Sequence, residues 1–134
     1  MLDIKSWLLL VSRILLASPF FTAGIRKVSG IERTVDNIAA HHLPYPLVLA
    51  WAAAALELIG GLMLILGIRA RCAGVAFFIY TGVLAGVFHA FWDMSGAQYT
   101  PQMAAFYEHL AIMGGMLYVA MFGAGPLSLG RGKG

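Results

Sequence analysis

The segment that most constrains the fold is residues 47–68, LVLAWAAAALELIGGLMLILGI, which is apolar or small at every position except Glu57. A helix needs about 20 mainly apolar residues to cross the hydrocarbon layer of a membrane, which is roughly 30 Å thick. A helix in a soluble core would seldom run so far without a polar face. The segment therefore predicts a membrane-spanning helix that carries a carboxylate near its centre.

Three further segments are long and apolar enough to span a membrane. The four predicted spans cover about residues 7–25, 47–68, 72–91 and 103–122. Only 11% of the 134 residues are charged, whereas soluble domains average roughly 25%. Because apolar and polar residues do not alternate within the spans, strands are disfavoured. We predict an all-α integral membrane protein, with residues 1–134 forming one antiparallel four-helix bundle.

The first loop carries a helical pattern of its own. Ile31, Val35 and Ile38 recur at helical spacing, with charged residues between them. This pattern is typical of a short amphipathic helix lying on the membrane surface. Pro44 and Pro46 then favour extended backbone before the second span.

The distribution of basic residues predicts the orientation. With four spans, both chain ends share one side with the turn that carries Arg69 and Arg71. That side also holds Lys5, Arg131 and Lys133, and the opposite side holds Arg26, Lys27 and Arg33. Since Lys and Arg are enriched on the cytoplasmic side, we expect both termini in the cytoplasm.

The sequence disfavours a cleaved signal peptide, a nucleic-acid-binding surface and a redox centre made of two cysteines. The first apolar run continues past Arg13, so it is predicted to be an uncleaved anchor and not a signal peptide. The net charge of +3 is too scattered for a nucleic-acid surface. Cys72 is the single cysteine, which excludes an internal disulfide and a C-x-x-C redox pair.

Glu57 needs a partner, because a charge at the membrane centre costs at least about 2.5–3.5 kcal/mol. Arg13, about 10 Å into the first span at 1.5 Å per residue, is the predicted partner. A bidentate Arg–carboxylate pair would bury both charges favourably. Such a pair would fix which helix faces meet, or it would serve a substrate or a proton.

A second polar group is predicted at the outer ends of the helices. The candidate ligand pocket comprises Lys27, His89, Trp92, Glu108 and His109. The aromatic residues also fit the usual belt at a membrane interface. His89 and His109 lie on different helices at similar depth, but one such pair without an attachment motif disfavours haem. Metal is disfavoured as well, since no compact spacing such as H-E-x-x-H occurs. A quinone headgroup, which needs a few hydrogen-bonding groups in an apolar slot, fits better.

The glycines indicate close helix packing. Gly82 and Gly86 form a G-x-x-x-G pattern, and Gly60, Gly61, Gly114 and Gly115 form small patches. Small residues let helix backbones approach closely in lipid. The sequence leaves open whether these glycines serve contacts within one bundle or a homo-oligomer.

Several motifs in order resemble the DoxX family of small four-span bacterial membrane proteins. They are SRILLA around Arg13 with AGIRK through Lys27, ELIGGLMLILGIRAR from Glu57, FHAFWD at residues 88–93, HLAIMGGML at residues 109–117, and FGAGPLSLG near the C-terminus. The resemblance covers nearly the whole chain. His109 stands where related sequences often have Asn, a departure from the family's pattern.

The resemblance implies a plasma-membrane protein associated with quinone-using oxidoreductases and with membrane-bound oxidant defence. We therefore expect a subunit or partner of a quinone-linked oxidoreductase, with a polar pocket near the periplasmic face. Two other functions stay open, a non-catalytic anchor that recruits membrane or periplasmic proteins and a small-solute transporter. The sequence identifies no catalytic residue.

Overall fold

The computed structural model describes residues 3–130, which are mainly helical and contain no strand. Its helices are α1 (Ile4–Ser29), α2 (Ile31–Ala40), α3 (Pro46–Ala55), α4 (Gly61–Leu66), α5 (Ala70–Phe88) and α6 (Tyr99–Phe122). A π-helical turn, Leu56–Gly60, joins α3 and α4 into one span, and two short 3₁₀ turns lie between α5 and α6. The predicted all-helical fold is confirmed.

Four helical segments have the length and hydropathy to cross a membrane. They are Ile4–Ser29, Pro46–Leu66, Ala70–Asp93 and Gly96–Phe122. The first begins earlier and ends later than the predicted 7–25. Its start is fixed by Asp3, whose side chain accepts hydrogen bonds from the backbone N–H of Ser6 at 3.0 Å and from its hydroxyl at 2.8 Å. This is a helix N-cap, which stabilises the first turn.

Two glycines set the contact between the first two spans. Gly61 lies against Phe21, and Gly24 lies against Leu58. Since the residue number rises along one helix as it falls along the other, these spans run in opposite directions. A side chain at Gly24 would overlap with Leu58, so this contact depends on glycine. The glycines here serve packing within the bundle.

The second and third spans form a hairpin with a tight turn. Gly67 ends α4 with φ of 72°, and Arg69 precedes α5 with φ of 45°. Both angles are in the left-handed region, which glycine adopts without strain and other residues seldom do. On its far side α5 packs along α6, with Gly74 against the backbone of Met116 and Ala120. This contact also requires the small residue.

The core is narrow, as expected for a bundle whose outer surface faces lipid. Phe20 and Phe77 pack with ring centroids 4.2 Å apart, and Leu64 and Met116 are fully buried beside them. Many large apolar residues point outward instead, for example Leu15, which is 67% exposed. Such a surface is unfavourable in water and favourable in a bilayer. It supports the assignment of this chain as a multi-pass membrane protein.

The predicted amphipathic helix of the first loop is present as α2. It buries Ile38 and packs along the first turns of α3. Gly24 near the end of α1 lies against Leu58, so the end of α1 lies level with the middle of the second span. This offset brings Lys27 close to Glu57.

The C-terminal segment, residues 123–130, folds back across the end of the bundle that holds both chain ends. The N–H of Leu129 donates to the carbonyl of Leu66 at 2.9 Å. Gly123 starts the reversal with φ of 79°. The sequence patterns did not predict this segment to be ordered.

Candidate functional site

Glu57 lies in the π turn that interrupts the second span. Five residues, Leu56–Gly60, form this turn, and Glu57 within it is only 2% exposed. A π turn accommodates one extra residue in an otherwise α-helical segment and is often found at functional sites. Gly60 allows the widened turn to lie against the ring of Phe77. The carboxylate is thereby directed into the bundle.

The partner of Glu57 is Lys27. The ammonium Nζ of Lys27 donates to Glu57 Oε1 at 2.9 Å and to Oε2 at 2.8 Å. The hydroxyl of Tyr80 on α5 donates to Oε1 at 2.6 Å. Three spans therefore meet at one carboxylate, whose charge is compensated by an ammonium group and stabilised by a hydroxyl donor.

The predicted pairing of Arg13 with Glu57 is wrong. Arg13 is buried, but its Nη1 donates to the carbonyl of Ala124 at 2.8 Å and its Nη2 donates to the carbonyl of Leu127. The prediction assumed that the first two spans begin and end at the same levels. In the observed register, with Gly24 against Leu58, Arg13 lies beside the C-terminal segment and not beside the π turn.

A cavity of about 430 Å³ lies beside this cluster, enclosed by α2, α3 and α5. Its wall is mainly aliphatic, with Leu49, Leu56 and Leu84 among its residues. Lys27 and Tyr80 contribute polar atoms to it. A largely apolar cavity with a few converging polar groups is typical of a small-molecule site.

His89 also lines this cavity, and it links the cavity to α6. Its Nδ1 donates to Oε1 of Gln102 at 2.7 Å. The ring of His89 packs on that of His109, with centroids 4.6 Å apart, and Nδ1 of His109 donates to the carbonyl of Ala105 at 2.7 Å. With Nδ1 of His89 acting as donor, the neutral ring presents Nε2 as an acceptor.

The five residues of the predicted pocket separate into two groups. The structure places Lys27 and His89 on the cavity wall, with His109 directly behind His89. Trp92 instead packs edge-on against Phe91 and Phe106 in an exposed aromatic cluster. Glu108 is exposed on α6 and is not part of the cavity wall.

The arrangement of the histidines does not fit a haem between them. The two rings are in direct contact, so no porphyrin plane has room between His89 and His109. Within residues 3–130, no three His, Cys, Asp or Glu side chains come together in a group that could hold a metal ion. The groups that do converge suit a ligand held by hydrogen bonds.

The glycine patterns have mixed roles. Gly60 and Gly61 pack inside the bundle, and Gly82 lies near Met113, whereas Gly86 and Gly114 have open space beside them. The G-x-x-x-G pattern of α5 is therefore not one continuous contact within this chain. Association of copies through the open positions stays a prediction.

Sequence reasoning missed Tyr80 and the polar residues of α2 that face the cavity, Thr34 and Asn37. Tyr80 occurs in an apolar run and carries no motif. One signal was available, because Tyr80 lies 23 positions after Glu57 in a tight hairpin and so returns to a similar depth. The polar side chains of α2 were visible, but their direction depends on how α2 packs.

Comparison with known proteins agrees with these observations. The DoxX family profile matches residues 8–90. Inner membrane protein YphA of Escherichia coli (strain K12) is 34% identical over 124 residues, which cover 92% of this chain and 89% of YphA. Inner membrane protein YqjF of the same organism is 32% identical over 125 residues, which cover 91% of this chain and 88% of YqjF.

A shorter match is to the protein named "Putative oxidoreductase CatD" of Bacillus subtilis (strain 168). It is 35% identical over 68 residues, which cover 51% of this chain and 49% of CatD. No solved structure matches the chain significantly. The profile match and the two matches along most of the chain share one conclusion: this protein belongs to the DoxX family.

Proposed function

We propose that this protein is an inner-membrane subunit or partner of a quinone-linked oxidoreductase and that it binds the quinone headgroup in the cavity beneath α2. The observation that carries the proposal is an apolar cavity of about 430 Å³ with Lys27, Tyr80 and His89 at its wall. The names of the relatives support the location and the class, since two are named inner membrane proteins and the name of CatD includes oxidoreductase.

The electrostatics of the cavity favour a neutral ligand. Lys27 is the cation on the cavity wall, and its charge is matched by Glu57 at 2.8 Å. A carboxylate or phosphate entering the cavity would lose its hydration without meeting an excess positive charge. A carbonyl oxygen needs only a hydrogen-bond donor. Lys27 has three N–H groups and uses two of them on Glu57, so one is available.

His89 offers the complementary group. Because its Nδ1 donates to Gln102, Nε2 of the neutral ring can accept a hydrogen bond. A quinone carbonyl would therefore be held by Lys27, and a hydroxyl of the reduced form by His89. A bound quinone supplies the ability to carry electrons and protons between membrane enzymes. The residues of this chain would orient it, while a partner oxidoreductase would exchange electrons with it.

A matched pair of substitutions on α3 tests the proposal. Ala53 lines the cavity, whereas Ala55, two residues further on, is exposed to lipid. Ala53→Phe should fill the cavity, and Ala55→Phe adds the same side chain outside it. We expect decylubiquinone to raise the unfolding temperature of the purified wild-type protein and of Ala55→Phe by several degrees, and to leave that of Ala53→Phe unchanged.

The native ligand provides a second readout. Lipid extracts of the protein purified in mild detergent should contain quinone at a substantial fraction of one molecule per chain, as measured by chromatography with ultraviolet detection. If wild-type protein retains no quinone and added quinone leaves its stability unchanged, the proposal fails. A non-catalytic anchor would then be the better account of this chain.

A further inference from the structure

A second cavity lies at the opposite end of the bundle, beside the turn between the second and third spans. It has a volume of about 970 Å³ and is formed by the hairpin turn, residues 67–72, and by residues 122–126 and 128–130 of the C-terminal segment. Arg69 and Arg71 are part of its wall, and no acidic residue is. Both side chains are exposed, and no carboxylate in residues 3–130 forms an ion pair with either.

A third guanidinium group lies behind the wall of this cavity. Arg13 is only 3% exposed, and its Nη1 contacts Gly67 and donates to Ala124, both of which line the cavity. Within the described part of the chain its buried Nε has no hydrogen-bond partner, and no carboxylate lies within ion-pair distance. A buried cation that has only carbonyl partners is electrostatically incomplete, and an anion nearby would complete it.

Within residues 3–130, no other group at this end of the bundle supplies that anion. Asp3 precedes α1, and its carboxylate accepts hydrogen bonds from Ser6 and forms no ion pair with these arginines. The N-terminus of α5 adds further donors, because Arg69 at its N-cap makes no side-chain hydrogen bond to the first turn. Free N–H groups at the start of a 19-residue helix favour an anion at the same place.

We propose that this cavity binds a phosphate group, with Arg69 and Arg71 as its direct ligands and Arg13 as a buried positive charge behind them. Guanidinium groups match the geometry of phosphate oxygens and bind them in pairs. The cavity lies where the second, third and fourth spans end, at the depth of the lipid headgroups. Basic pockets between spans at this level recognise anionic headgroups, so an anionic phospholipid is the expected source of the phosphate.

The test uses the full-length protein purified in an uncharged detergent. Its unfolding temperature is followed during titration with dioleoylphosphatidylglycerol, with zwitterionic dioleoylphosphatidylcholine and with inorganic phosphate. The variant Arg69→Gln/Arg71→Gln removes the two direct ligands. The variant Arg26→Gln/Arg33→Gln removes two exposed basic residues at the opposite end and serves as the matched control.

We expect phosphatidylglycerol to raise the unfolding temperature of the wild-type protein and phosphatidylcholine to leave it unchanged. Affinity should fall about 25-fold in Arg69→Gln/Arg71→Gln and less than threefold in the control. Arg71→Gln alone should lose about fivefold. Stabilisation by inorganic phosphate to the same extent would support the same site with a free anion as its ligand. Equal effects of the two lipids, equal losses in the two double variants, or no stabilisation by any probe would overturn the proposal.

Discussion

Lys27 and Glu57, 30 positions apart in the chain, join the end of α1 to the π turn of the second span through an ion pair at 2.8 Å. Glu57 is almost completely buried, whereas the Lys27 side chain is 22% exposed at the wall of the cavity. The Glu57 end of the pair therefore lies inside the bundle, whereas the Lys27 end lies at the cavity. Replacing one of the two residues should therefore change the free energy of unfolding differently from replacing both.

Removing one member of the pair should destabilise the bundle more than removing both. Lys27→Met leaves Glu57 buried without its counter-charge, and we expect a loss of about 3–5 kcal/mol in the free energy of unfolding. Lys27→Met/Glu57→Gln should regain most of that loss. Unfolding in mixed detergent micelles measures both values.

The control for this pair is Arg26→Met, which removes a neighbouring exposed cation and should change the free energy by about 0.5 kcal/mol or less. Additive effects of Lys27→Met and Glu57→Gln would contradict the coupling of the two side chains.

Arg13→Met should loosen the C-terminal segment while the bundle stays folded. Replacing a buried charge with an apolar side chain removes its desolvation cost, so the global stability should change little. The segment loses both hydrogen bonds from Arg13, at Ala124 and Leu127. Hydrogen exchange at residues 123–130 should accelerate at least tenfold, and exchange within α5 should not. Unchanged protection of the segment would show that other contacts hold it.

Deleting one residue distinguishes the π turn from the helix around it. Removal of Ile59 should convert the turn to α-helix and leave the faces of α3 and α4 aligned, because a π turn holds one extra residue. Removal of Leu62, outside the turn, rotates the remainder of α4 by about 100° and should prevent folding. Yield of monodisperse protein in detergent measures the difference. Equal tolerance of both deletions would argue against the π turn.

The N-cap of α1 should depend on pH. Hydrogen bonds from Ser6, from its hydroxyl and then its backbone N–H, lower the pKa of Asp3 below its ordinary value. The cap therefore stabilises the helix start at neutral pH, and this contribution is lost as the pH falls through the lowered pKa. The amide resonance of Ser6 should titrate below about pH 3.9. In Asp3→Asn, the same resonance should stay in place across this range, and a resonance that still titrates would point to another group.

Sequence patterns predicted the helices because each helix is determined by residues close together in the chain. Apolar runs of spanning length, the spacing of Ile31, Val35 and Ile38, and the short turn at Arg69 each specify structure within a few residues. The inward direction of Glu57 also followed from a single argument, since a lipid-facing carboxylate would be too costly. The π turn was not visible, because its residues are also good α-helix formers.

The partner of Glu57 could not be predicted from these sequence patterns, because it depends on the offset between two helices. That offset is seen in the contacts of Gly24 with Leu58 and of Gly61 with Phe21, which hydrophobic periodicity does not encode. Arg13 was identified as a buried cation, but its partners are backbone carbonyls of the C-terminal segment, which any residue could supply. The charges were visible in the sequence, whereas their neighbours required the three-dimensional structure.

The contact of Arg13 with Ala124 and Leu127 has a consequence for biosynthesis. These partners lie 111 and 114 residues after Arg13. At about 5–20 residues per second, a ribosome needs roughly 5 to 20 s to synthesise that interval. Throughout this time the guanidinium of Arg13 lacks its carbonyl partners in the C-terminal segment. Late synthesis of residues 124–127 therefore delays the final environment of Arg13 in α1.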